Sequence, residues 1–152
     1  MRTLLILLVS LGLFSALHAA DVTGRVIKVL PLLLDREGHD ALSPSLFDRD
    51  AYQAVLREHT NQVSAVRFDV QWKAGKNSND PLKLRLELRG IGAQGEPKLK
   101  TLEAPATPHF FESWTSFTLG GDDYKQFGSI VAWRATLWNG DRQVGEQKSF
   151  LW

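Results

Sequence analysis

Ala65-Val66-Arg67-Phe68-Asp69-Val70-Gln71-Trp72-Lys73 decides the fold. Val66, Phe68, Val70 and Trp72 fall on one side of an extended chain, and Arg67, Asp69, Gln71 and Lys73 on the other. Successive side chains of a strand point to opposite faces, so this alternation sets one face on a core and the other in water. Leu82-Lys83-Leu84-Arg85-Leu86-Glu87-Leu88-Arg89 repeats the pattern without a break. Such half-wet strands belong to antiparallel sheets. The turn formers from Gly75 to Pro81 predict that the two strands form a hairpin with a long loop, sharing one buried face.

Outward from this pair, Val22–Leu34, Lys98–Leu102, Phe110–Leu119, Ile130–Trp138 and Gln143–Trp152 read as further strands. Pro31 asks for an edge or a bulge in the first of them. Asn139-Gly140-Asp141 is a strong hairpin signal between the last two. One helix is expected over residues 43–58. Ser43-Pro44 fits an N-cap with proline behind it, and Ser45 to Asp48 fits a capping box one step later. Phe47, Ala51, Ala54 and Val55 keep helical spacing and are expected on its core face with Tyr52 and Leu56 beside them, and Gln53, Arg57 and Glu58 in water. Asp122–Phe127 predicts one short further turn of helix.

Short strands separated by turn signals, with one inserted helix, predict an all-β antiparallel sandwich. The layout resembles immunoglobulin-like and fibronectin-III-like sandwiches, in layout alone, since the paired cysteines of antibody domains are absent. A lipocalin-type barrel needs more strands than the chain offers. Residues 21–152 are expected to form a single domain.

Residues 1–20 read as a secretory signal peptide. Arg2 supplies the positive start, Leu4 to Leu17 the apolar run, and Ala19-Ala20 the small residues before Asp21. The run is shorter than the roughly twenty residues that span a bilayer, so no membrane span is expected after cleavage. Periplasmic or secreted localisation follows as the expectation. Of 18 basic residues only Arg2 leaves with the leader, so the processed chain balances its 17 acids. A neutral chain without blocks of like charge has no general pull on nucleic acid or anionic lipid. With no cysteine, thiol catalysis, thiolate metal sites and disulfide staples are all excluded.

Among candidate sites, Asp35-Arg36-Glu37-Gly38-His39-Asp40 gathers three carboxylates and an imidazole at a turn. It matches no EF-hand or H-E-x-x-H spacing and reads as a solvated loop, so no metal or cofactor is assigned. His39, His59 and His109 lie in three different connections, and no G-x-S-x-G or S-x-x-K motif nominates a nucleophile. Asp122-Asp123 reads as the start of a helical turn rather than a carboxylate pair. Gly90-Ile91-Gly92 is followed by Glu96-Pro97 and a strand, where a phosphate loop needs a helix. No enzyme is expected.

Five tryptophans are the remaining signal. Trp72 belongs to a core face. Trp133 alternates with Val131, Ala135 and Leu137, which turns Trp138 outward beside Arg134 and Thr136. Trp114 shares a face with Glu112, Ser116 and Thr118. Trp138, Arg134 and Trp114 are therefore the candidate binding surface. The expectation is an exported, non-catalytic binding or interaction module of the bacterial cell envelope, with a protein or a polysaccharide as partner. The alternatives are an accessory subunit of an envelope assembly, or a carbohydrate-binding module that uses exposed tryptophans.

Overall fold

The structure is a computed structural model that describes residues 23–75, 80–109 and 111–152. The signal-peptide reading lies outside the described residues. Seven strands form two antiparallel sheets: β1 (Gly24–Asp35), β2 (Val63–Ala74), β3 (Leu82–Ile91), β4 (Pro97–Pro105), β5 (Ser113–Gly120), β6 (Ser129–Asn139) and β7 (Arg142–Lys148). The order is β1-β2-β5 in one sheet and β4-β3-β6-β7 in the other. The chain is an all-β sandwich of the immunoglobulin-like layout, with helix α1 (Leu46–Glu58) inserted between β1 and β2. Helix α2 (Gly121–Phe127) follows β5 and carries Asp122 and Asp123 in its first turn.

The hairpin expected between the two alternating stretches does not form, because β2 and β3 belong to different sheets. Each pairs instead with strands that are distant in sequence, β2 with β1 and β5, β3 with β4 and β6. Alternation sets which face is buried but says nothing of the partner. The two apolar faces meet across the core, where Phe68, Val70 and Trp72 pack in one cluster with Leu84, Leu86 and Leu88. Trp72 is buried, and its indole N–H donates to the Thr115 hydroxyl at 3.0 Å.

The β6–β7 turn is one residue later than Asn139-Gly140. Asn139 pairs with Arg142 and Trp138 with Gln143, which leaves Gly140 and Asp141 as the turn. Gly140 has φ 55°, a left-handed value that glycine takes without cost at the first turn position. Val131 departs from its expected burial and stands 40 % exposed. Arg89 pairs with Ala132 and Gly90 with Ile130, so Val131 is the extra residue of a bulge and Ile130 packs on the core instead.

Helix α1 corrects the sequence reading twice. Its N-cap is Ser45, whose hydroxyl accepts from the Asp48 N–H, so the helix starts after Ser43-Pro44. Its buried residues are Gln53 and Leu56, while Phe47, Ala51, Ala54 and Val55 face away from the sheet and are exposed. The cause is an unfinished strand edge. Gln53 donates to the Leu33 carbonyl and accepts the Leu33 N–H, both at 2.8 Å, and also donates to the Asp40 carbonyl at 3.0 Å. Rolling the apolar stripe inward would strand these backbone groups, each costly when buried without a partner. Leu32, Leu34, Ala65 and Leu56 are buried apart from the central cluster and form a second, small core on this side.

Candidate functional site

Trp138 and Arg134 lie together on the outer face of the four-stranded sheet, as their parity implies. There Trp138 pairs with Lys83 and Arg134 with Glu87. The face is closely knit. Arg134 donates to both carboxylate oxygens of Glu87, at 2.8 and 3.0 Å, and its guanidinium lies 4.8 Å from the ring centre of Trp152. Arg89 sits over the same ring at 4.0 Å, and Arg85 over the Trp138 ring at 4.9 Å. The Trp138 N–H donates to the Thr136 hydroxyl at 2.8 Å. Cation–π stacking and charge-assisted pairing thus engage the groups a ligand would use. The sequence placed Trp152 on the last strand, but β7 ends at Lys148, and Trp152 lies beyond it under Arg89 and Arg134.

Trp114 is not part of that surface. It lies on β5 opposite Gln71, on the outer face of the three-stranded sheet and hence on the other side of the sandwich. It is 51 % exposed, and Gln71 donates to Glu112 beside it.

The Asp35–Asp40 loop brings Asp35, Glu37 and His39 within 4.8 Å of one another. The Asp35 carboxylate is taken up by the protein itself. One oxygen accepts the N–H groups of Glu37 and His39 at 2.8 and 2.9 Å, and the other the Tyr52 hydroxyl at 2.8 Å. These donors, the His39 N–H foremost, hold the carboxyl below the usual aspartate range. The group shapes the loop. The His59 ring lies 3.0 Å from the Val55 carbonyl at the end of α1, and the His109 N–H donates to the Ser113 hydroxyl at the start of β5. With His39 in the β1–α1 loop, the three histidines occupy separate connections.

An apolar set that the sequence assigned to the core faces solvent instead. Phe47 is 82 % exposed, and Leu46 and Val55 are exposed on the same helix, with Leu42 before it. Phe47, Ala51, Ala54 and Val55 recur at the spacing of one helix face. Asp48, Asp50 and Glu58 are exposed around the stripe.

No protein-family model matches the chain, and no curated protein is similar to it in sequence. Among solved structures it is similar to a crystal structure from Akkermansia muciniphila, with TM-score 0.54 and 11% identity. The match covers 85% of this chain and 71% of that one. At that identity the likeness is one of fold, and the fold is the β-sandwich.

Proposed function

We propose that the protein is an exported, non-catalytic interaction module of the bacterial cell envelope, and that α1 is its docking element for a protein partner. The carrying observation is the apolar stripe of α1, turned outward while polar Gln53 anchors the helix to β1. Contiguous exposed apolar surface marks interaction sites on soluble domains. Residues at i, i+4 and i+7 or i+8 of one helix face are the anchors by which a helix enters a partner's groove. Asp48, Asp50, Arg57 and Glu58 stand around the stripe, so a polar rim of mixed charge surrounds its apolar centre. Export rests on Arg2, the Leu4–Leu17 run and Ala19-Ala20. A photo-crosslinking amino acid at Phe47 should join the protein to one envelope protein in the producing cells, and the same group at Thr118 should not. Phe47→Ser should remove the cross-linked partner from a pull-down and leave stability within about 0.5 kcal/mol. A loss of the roughly 3–5 kcal/mol typical of a buried phenylalanine would show that the stripe belongs to the protein's own core.

One observation favours a carbohydrate partner as a second reading: Trp114 is exposed beside an amide and a carboxylate, the groups that meet a stacked sugar ring. Trp114→Ala should then abolish retention on peptidoglycan or another envelope polysaccharide, and unchanged retention removes this reading.

A further inference from the structure

The sandwich is zipped along one half of an edge and open along the other. Near the start of β1, Gly145 of β7 sits so close that a Cβ there would stand 2.8 Å from the Arg25 Cα. The β6–β7 pairing then ends at Arg134 and Lys148. Beyond it the two sheets part, and a cleft of about 620 Å³ opens between the second half of β1 and the first half of β6. Leu33, Val66, Phe68, Tyr124, Ile130 and Trp133 are among its walls, so it gives directly onto core residues. The volume is that of a small-molecule site.

An open sheet edge ordinarily invites another strand, but this one is blocked at each step. Pro31 has no N–H to offer, and both backbone groups of Leu33 are held by Gln53. On the opposite wall Val131 forms a bulge. The Trp133 N–H is taken by the Ser149 hydroxyl at 3.0 Å, and its carbonyl by the Ser149 N–H at 2.9 Å. Proline and bulges are the devices by which proteins refuse strand addition. What suits this cleft is apolar bulk that asks for no backbone hydrogen bonds. At its rim Lys125 is the charged lining residue, and among the described residues no acid lines the cleft. The Lys125 ammonium is exposed, and its pair with Asp122 is loose, at 3.8 Å.

We propose that this cleft binds a single-chain anionic amphiphile, a long-chain carboxylate, with its tail against Leu33, Ile130 and Trp133 and its head at Lys125. The site is separate from the α1 stripe and does not depend on it. The probe is cis-parinaric acid, whose fluorescence rises in an apolar site, titrated into the purified protein alongside its uncharged methyl ester. Saturable binding of the acid is expected. Val131→Trp and Leu33→Phe, which fill the cleft, should remove it while thermal melting shows the fold intact. Lys125→Glu should weaken the acid by about twofold to fivefold, the scale of one surface ion pair, and spare the ester. Phe47→Ser should bind as the parent does. The proposal is overturned if the parent shows no saturable binding, if Val131→Trp and Leu33→Phe both fold and still bind, or if acid and ester respond alike to Lys125→Glu. Loss of binding in Phe47→Ser would assign the probe to the helix stripe and overturn it too. Displacement of the probe by a nonapeptide of alternating threonine and valine would mark the cleft as a strand acceptor and equally overturn the proposal.

Discussion

The side-chain amide of Gln53 pairs with the backbone of Leu33 as a neighbouring strand would, donating to its carbonyl and accepting its N–H, each at 2.8 Å. This contact fixes the roll of α1, closes the edge of β1 and turns the apolar stripe of the helix outward. A buried backbone pair that loses its partner costs about 1–3 kcal/mol for each group left unsatisfied. Gln53→Leu removes three such bonds and should therefore lower the urea-derived stability by at least about 1–3 kcal/mol, the cost of one group, despite placing an apolar side chain in a buried site. Gln53→Glu should be worse, because its carboxylate would face the carbonyls of Leu33 and Asp40, which now accept from the amide. A Gln53→Leu variant as stable as the parent would mean the contact contributes nothing.

The facing strands give a graded test of the core. Phe68→Ala and Leu86→Ala should cost about 2–5 kcal/mol, as buried large-to-small changes do. Lys83→Ala, on the outer face, should stay within about 0.5 kcal/mol. Arg67 is also on an outer face, but it joins Asp40 at 3.0 Å to Asp69 at 3.0 Å. Arg67→Ala should fall between the two classes, near the roughly 1 kcal/mol upper bound of a partly exposed pair. Urea midpoints at equal m-values check the ranking.

The alternation from Val66 to Trp72 and from Leu82 to Leu88 made the sandwich legible, because burial of one strand face is a local property of the chain. Partner choice is not local, which is why two neighbouring strands read as a hairpin and stand in opposite sheets. The same limit explains the helix. Phe47, Ala51 and Val55 mark an apolar face on any helical wheel. Which face meets the sheet was decided by the open backbone of Leu33 on β1, well outside the helix in sequence. Parity placed Trp138 and Arg134 outward, yet it could not show that arginines from β3 lie across the tryptophan rings there.

Trp138 and Trp114 should separate on mutation. Trp138 is half-buried, donates to Thr136 and lies beneath Arg85. Trp138→Ala should cost about 1–2 kcal/mol through the lost indole hydrogen bond and the lost stacking of Arg85, while the Thr136 hydroxyl keeps the Arg85 carbonyl as its acceptor. Trp114 stands half out of the surface on the other sheet, and Trp114→Ala should stay within about 0.5 kcal/mol. Thermal melts of the two variants decide it: equal losses would mean that the ladder of Trp138, Arg85, Arg134 and Trp152 has no stabilising part.

Acid should probe the Asp35 turn. The His39 and Glu37 N–H groups and the Tyr52 hydroxyl favour the ionised carboxylate, so its folded pKa lies below the ordinary value of 3.8. A depressed carboxyl stabilises the fold fully above its unfolded pKa and loses that contribution as pH falls through the folded value. The parent should thus be most stable relative to Asp35→Asn near pH 6, with the gap closing as the pH falls below the ordinary aspartate range. Since the oxygens of Asp35 are occupied by internal donors, chelator should leave the melting temperature of the parent unchanged. Urea titrations of both proteins between pH 6 and pH 2, with and without EDTA, make the measurement. A gap that widens with acid would reverse the sign of the argument, and a melting temperature that falls with EDTA would give Asp35, Glu37 and His39 a cation to hold.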